Sequence, residues 1–89
     1  MEVKSVMNEK TRMLNEEKWI DLSYSHAIYR ARYFPMTRNT GDLEIRFRSQ
    51  KHYVYYDVPK TVAKRLTEVE SPGKYFQKKI RDTYNFEMV

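Results

Sequence analysis

The sequence predicts an α+β domain: a three-stranded antiparallel meander packed on one face by two C-terminal helices. Over residues 25–56, apolar residues alternate with polar or charged ones, as in strands that bury one face. After Pro59, apolar residues recur every three or four positions, which indicates amphipathic helices. The aromatic and β-branched run at residues 53–58 lies between the two patterns and predicts the end of the last strand.

The first predicted strand covers residues 25–34, and alternation divides its side chains between two faces: Ala27, Tyr29, Ala31 and Tyr33 on one, and Ile28, Arg30, Arg32 and Phe34 on the other. The polar residues 37–42 predict a loop in which Gly41 is free to adopt a positive φ. The second strand covers residues 43–48, again with two faces: Leu43, Ile45 and Phe47, and Glu44, Arg46 and Arg48. A short polar link leads to the third strand, residues 52–56, so the strands should pair as antiparallel neighbours.

Two helices should follow the strands. Pro59 suits the first turn of the first helix, whose apolar stripe contains Val58, Val62, Leu66 and Val69. Ser71 is the predicted N-cap of the second helix, which begins at Pro72 and buries Phe76, Ile80 and Tyr84. In the preceding strand we expect Tyr53 and Tyr55 to be buried, with their hydroxyls at the rim.

The N-terminal extension, residues 1–23, is predicted to be helical. Val6, Met13 and Ile20 fall at heptad spacing among polar residues. Such a helix would either cap the sheet or act as an oligomerisation arm. Trp19 is expected to anchor this segment to the core or to a partner.

Composition restricts the class of protein. With 89 residues and 40% hydrophobic content, the chain is one small globular domain. It contains no Cys, which excludes disulfides and cysteine sites and suits a cytoplasmic location. No apolar run approaches the roughly 20 residues of a membrane-spanning helix, so we expect no membrane partner.

The net charge of +5 is concentrated in the predicted strands. Residues 26–56 hold six Lys and Arg against two Asp and Glu. This excess favours phosphate-rich or acidic partners, although a solubilising surface is the alternative. If the apolar sides of the strands face the helices, the opposite face should present these candidate ligand-binding residues: Arg30, Arg32, Arg46, Arg48 and Tyr56. Guanidinium groups would hold phosphates and the ring would stack on bases; alternatively, Arg30 and Arg32 pair with Glu44.

The turn before the second predicted helix is another candidate phosphate site. A helix N-terminus offers free N–H groups, and Ser71, Gly73 and Lys74 could add a close approach and a charge. Simple helix capping is the alternative. An enzyme is not predicted, because His26 and His52 lack a metal-ligand pattern and Asp57 is better interpreted as a helix cap. We accordingly expect no catalytic residue, no metal and no cofactor.

An ordered series of motifs over residues 24–86 resembles the KTSC domain, a family found at the C-terminus of some lysyl-tRNA synthetases and as small bacterial and phage proteins. The matching motifs are Ser25 with Ile28, residues 43–47, Tyr53 with Tyr55, Val58 with Pro59, Leu66, residues 71–76, and Ile80 with Arg81 and Tyr84. The sequence departs from the family at Gln50, where a glycine is usual. The resemblance implies a KTSC-like domain at residues 24–89, and the association with a synthetase suggests RNA binding.

The predicted function is therefore non-enzymatic binding of a phosphate-bearing ligand, either RNA or a small nucleotide. One alternative is an oligomeric phage sponge that sequesters cyclic or signalling nucleotides, because a domain this small leaves sheet edges uncovered and a homo-oligomer would cover them. A second alternative is a protein–protein interaction module whose basic face meets an acidic partner.

Overall fold

Seven elements follow one another along residues 18–89, the part of the chain that this computed structural model describes. They are β1 (Ile20–Asp21), β2 (Ile28–Pro35), β3 (Thr40–Phe47), β4 (His52–Pro59), α1 (Lys60–Leu66), α2 (Pro72–Lys79) and β5 (Phe86–Met88). The strands form one sheet in the order β1-β2-β3-β4-β5, and all neighbours are antiparallel. No helix in these residues has the length and apolar composition needed to cross a bilayer.

The predicted α+β class, with an antiparallel sheet and two helices, is confirmed, but the predicted number of strands is wrong. The sheet has five strands rather than three, because β1 and β5 extend the meander at its two edges. These strands contain two and three residues, which is too short for an alternating pattern to show. Ile20 belongs to β1, so the predicted N-terminal helix does not reach it; the rest of that prediction falls on residues 1–17, outside the described residues.

The core lies between the sheet and the two helices. Its buried hydrophobic residues are Leu22, Ile28, Ala31, Leu43, Ile45, Tyr55, Val58, Ala63, Leu66, Phe76 and Ile80. The predicted helix stripes are confirmed in part: Leu66 and Phe76 are buried in α1 and α2, and Ile80 is buried just beyond the end of α2. Both helices end earlier than predicted, so Val69 and Tyr84 lie outside them, and Val58 is a buried residue of β4. Tyr53, Tyr75 and Tyr84 are partly buried against this core.

A β-bulge in β2 corrects the predicted division of its side chains. The pairing register with β3 shifts between Ile28 and Arg30, so Ile28 and Ala31 both enter the core. Ile28 therefore does not share a face with Arg30. Tyr29, the residue at the shift, is 43% exposed.

Within residues 18–89, positive φ angles occur at two positions where none is predicted from the sequence. Gln50, in the turn between β3 and β4, has φ 73, and Asp57 has φ 56. Asp57 lies in β4 beside a register shift and is not the helix cap that was predicted, because Pro59 occupies the N-cap position of α1. Gly41 has no positive φ and lies within β3, so its expected role in a loop is wrong.

Tyr55 confirms the expectation of burial in β4. Its side chain is 3% exposed, and its ring centroid lies 5.5 Å from that of Phe76. Burial, with a smaller contribution from Tyr53, raises the pKa of Tyr55 to about 12. The folded state therefore holds this proton more tightly than the unfolded chain, whose tyrosine pKa is about 10.

The stability contributed by the Tyr55 proton should be complete below pH 10 and be lost as the pH rises toward 12. Phenylalanine cannot ionise, so the free energy of unfolding of Tyr55→Phe should rise relative to that of the wild type by about 1.4 kcal/mol per pH unit in this window. Urea unfolding of both proteins from pH 9 to pH 12 measures the difference. A difference that is independent of pH would contradict the prediction.

Candidate anion-binding site

The sheet face opposite the helices carries a cluster of charged side chains from three strands. The pairing register places Arg30 opposite Arg46, Arg32 opposite Glu44, and Arg46 opposite His52. Directly opposed side chains of neighbouring antiparallel strands lie on the same face and interact. The predicted basic face therefore forms from β2, β3 and β4, although it also contains a carboxylate and an imidazole.

Trp19 covers two of the arginines from the segment just before β1. The Cζ atoms of Arg30 and Arg32 lie 4.3 and 4.2 Å from the centroid of its ring, which are cation–π distances. Trp19 thus packs on cations of the open face rather than anchoring in the core. No sequence pattern indicates this contact, because it depends on the pairing of β1 with β2.

Glu44 neutralises one half of the cluster. Its carboxylate accepts a hydrogen bond from Arg32 Nε at 2.5 Å through Oε1, and its Oε2 contacts His52 Nε2. Glu44 is only 7% exposed, so both contacts are shielded from water. The alternative of cross-strand pairing is therefore observed for Arg32, but Arg30 does not share it.

Arg30 and Arg46 form the other half of the cluster, which we call the arginine pair. Neither side chain belongs to an ion pair formed within residues 18–89. The Nε atoms of both are buried and find no hydrogen-bond acceptor among the described residues. Opposed like charges destabilise a strand pair, and buried donors normally have partners. An anion beside the two guanidinium groups would relieve the repulsion between them.

Arg48 lies at the end of the open face rather than within it. Its guanidinium donates hydrogen bonds to the carbonyl oxygens of Ser23, at 2.7 Å, and Ser25, at 3.3 Å. β3 ends at Phe47, so Arg48 lies one residue beyond the strand. Arg46 and Arg48 still meet at one cleft.

Two clefts flank the arginine pair, and both are lined by Tyr29. The larger, of about 350 Å³, is lined by Tyr29, Arg46, Phe47, Arg48 and Gln50. The smaller, of about 230 Å³, is lined by Trp19, Asp21, Tyr29 and Arg30. Hydrogen bonds from Ser23 lower the pKa of Asp21, so this carboxylate is ionised and makes the smaller cleft less suited to an anion.

Tyr56 is placed away from the arginine pair, near the β5 edge of the sheet. Its hydroxyl donates a hydrogen bond to Glu87 Oε1 at 2.7 Å. This bond raises the pKa of Tyr56, because the protonated hydroxyl is the form that donates it. A carboxylate beside the ring is unfavourable for phosphate, so the structure does not bring Tyr56 together with Arg30 and Arg46.

The turn before α2 is likewise separate from the open face. Ser71 occupies the N-cap position but makes no side-chain capping bond, and Pro72 begins the helix as predicted. A Cβ atom on Gly73 would lie 3.1 Å from Ala27 Cβ and 3.6 Å from Ser25 Oγ. The approach to the backbone that was expected to admit a ligand is therefore filled by the chain itself. Lys74 is exposed on α2, and its role in binding phosphate stays a prediction.

Sequence comparison matches residues 24–84 to the KTSC domain. The chain belongs to the KTSC domain family. It is also similar to the crystal structure of a KTSC domain protein from Yersinia pestis, with a TM-score of 0.71, 28% sequence identity, and coverage of 81% of this chain and 96% of that one. No curated protein matches the chain.

The family match covers most, but not all, of the residues around the arginine pair. Arg30, Arg46 and Gln50 lie inside the matched KTSC region, whereas Trp19 precedes it. Among residues 18–89, no three His, Asp or Glu side chains are grouped so that they could hold a metal ion.

Proposed function

We propose that this KTSC domain binds a phosphate-bearing ligand, RNA or a small nucleotide, and does so without catalysing a reaction. The observation that supports the proposal is the arginine pair, in which two opposed guanidinium groups leave buried Nε donors without acceptors. A phosphate oxygen is a strong acceptor, and a guanidinium binds phosphate through two parallel hydrogen bonds. Phosphate bound by the guanidinium groups would thus neutralise the charge of the arginine pair.

The surroundings of the arginine pair favour an anion over a cation. Arg48 lines the same cleft as Arg46. Glu44, the buried carboxylate that the described residues place on the open face, already contacts Arg32 and His52. Trp19 holds the Arg30 guanidinium from one side, which reduces the side-chain entropy lost when a ligand binds. The site is therefore preorganised for negative charge.

The test is titration of a fluorescently labelled 12-mer RNA and of AMP at low salt. We expect Arg46→Gln to weaken binding of either probe by about tenfold, because it removes charge-assisted hydrogen bonds. Arg38→Gln is the matched control, since Arg38 is an exposed loop residue outside both clefts and carries the same charge. Equal affinities of the two variants, or no binding of either probe to the wild type, would refute the proposal.

One observation also supports self-association, as the oligomeric alternative requires. β5 is an edge strand, and its end exposes Phe86, Met88 and Val89 by 51%, 63% and 62%. An exposed apolar edge can pair with a second copy and continue the sheet. Light scattering after gel filtration should then show a dimer that Met88→Lys dissociates; a wild-type monomer at 100 μM, a concentration on the order of the weak-complex range, would reject this candidate.

A further inference from the structure

The β-bulge in β2 leaves the Tyr29 side chain outside the core. The β-bulge turns its neighbour Ile28 into the core, and the Tyr29 side chain stays 43% exposed. Bulges commonly redirect a side chain beside a functional site. Tyr29 lines both clefts, and the Arg30 Cζ atom lies 5.6 Å from the centroid of its ring.

Gln50 is an uncharged polar residue that lines the larger cleft together with Tyr29. It adopts φ 73 in the β3–β4 turn, where a glycine would fit without strain. Its backbone N–H donates to the Phe47 carbonyl at 2.9 Å, so the turn itself needs no side chain at this position. The side-chain amide of a glutamine carries both donors and an acceptor, so Gln50 can offer both to a ligand in the cleft that it lines.

We propose that the larger cleft is a nucleobase site, in which Tyr29 stacks on the base and the Gln50 amide bonds to the edge of the base. This inference rests on the proposed function, because the phosphate of the same nucleotide lies at the arginine pair. The cleft volume of about 350 Å³ is within the range of small-molecule sites, about 300–1,000 Å³. The ligand class is a nucleoside phosphate, either free or as one residue of an RNA strand.

The residues that line the larger cleft favour a nucleotide over anionic ligands that carry no base. A bare phosphate or a sugar phosphate would use Arg46 and Arg48 but leave the Tyr29 ring and the Gln50 amide without a function. A base offers a flat π face for the ring and paired donor and acceptor groups for the amide. Stacking alone tolerates every base, so any preference among bases should depend on Gln50.

The experiment compares AMP with ribose 5-phosphate, which carries the same phosphate and sugar without a base. We expect the wild type to bind AMP about tenfold more tightly, as a stacked base requires. Tyr29→Leu should abolish this difference, and Tyr29→Phe, the matched control, should retain most of it. Gln50→Gly should reduce discrimination between AMP, GMP, CMP and UMP while raising the melting temperature by about 4 °C, because the strain at φ 73 is released.

The two proposals fail in different ways. If ribose 5-phosphate and AMP bind the wild type equally and Arg46→Gln weakens both, the base site is refuted and phosphate binding stands. If neither ligand nor the 12-mer binds, both proposals fall.

The source of the nucleotide is tested with an adenosine 12-mer and its abasic counterpart. Tighter binding of the 12-mer than of AMP identifies a strand, and equal binding identifies a free nucleotide. Loss of the difference between the 12-mer and the abasic strand would again count against the base site.

Discussion

Replacing Gly41 with alanine should lower the free energy of unfolding by about 3 kcal/mol. A Cβ atom at this position would lie 2.3 Å from the carbonyl oxygen of Phe34 and 2.9 Å from the Tyr33 ring. The first of these atoms belongs to the backbone of the paired strand, so it cannot move aside without disturbing the β2–β3 ladder. Urea unfolding monitored by circular dichroism measures the loss.

Gly73→Ala is the matched control, because the chain contains only these two glycines. Its Cβ would lie 3.1 Å from the Cβ atom of Ala27, a milder crowding than at Gly41, and alanine is the better helix former by roughly 1 kcal/mol. We expect the crowding and the propensity to offset each other within about 1 kcal/mol. If Gly41→Ala were as mild as Gly73→Ala, the close packing of β2 on β3 at Pro35 and Gly41 would be wrong.

Periodicity predicted the elements that are long enough to display a period. β3 shows the cleanest alternation, and its Leu43 and Ile45 are buried as expected. The bulge at Tyr29 could not be predicted, because it inserts one residue into an alternation that otherwise continues. Positive φ was expected at Gly41 and is found at Gln50 and Asp57, since the register of β3 against β4 determines which residue bears the turn.

The candidate site was predictable only as a set of residue types. Alternation correctly placed Arg30, Arg32 and Arg46 on the face away from the core. It could not show that Glu44 would bind Arg32 and leave Arg30 and Arg46 together, because that choice depends on cross-strand register. Tyr29 was assigned to the core-facing side of its strand and was therefore missed as a wall of the cleft.

Glu44→Gln should cost about 3 kcal/mol of stability, an effect as large as that at Gly41. The Glu44 side chain is nine-tenths buried, and its carboxylate bridges Arg32 and His52. The substitution therefore removes the negative charge that both side chains contact. Breaking a buried pair by removing one partner is costly because the other charge stays desolvated. Glu68→Gln, at an exposed position, should change the stability by less than about 0.5 kcal/mol.

The same substitution should have the opposite effect on ligand binding. Without the Glu44 charge, the Arg32 guanidinium is released beside Arg30, and both remain under the Trp19 ring. We therefore expect Glu44→Gln to bind AMP more tightly than the wild type, by about threefold, although its fold is less stable. The double variant Glu44→Gln with Arg32→Gln should lose this gain, which a titration of the four proteins in the cycle measures. Tighter binding that persists in the double variant would mean that the gain does not come from Arg32, and weaker binding by Glu44→Gln alone would place Glu44 among the groups that hold the ligand.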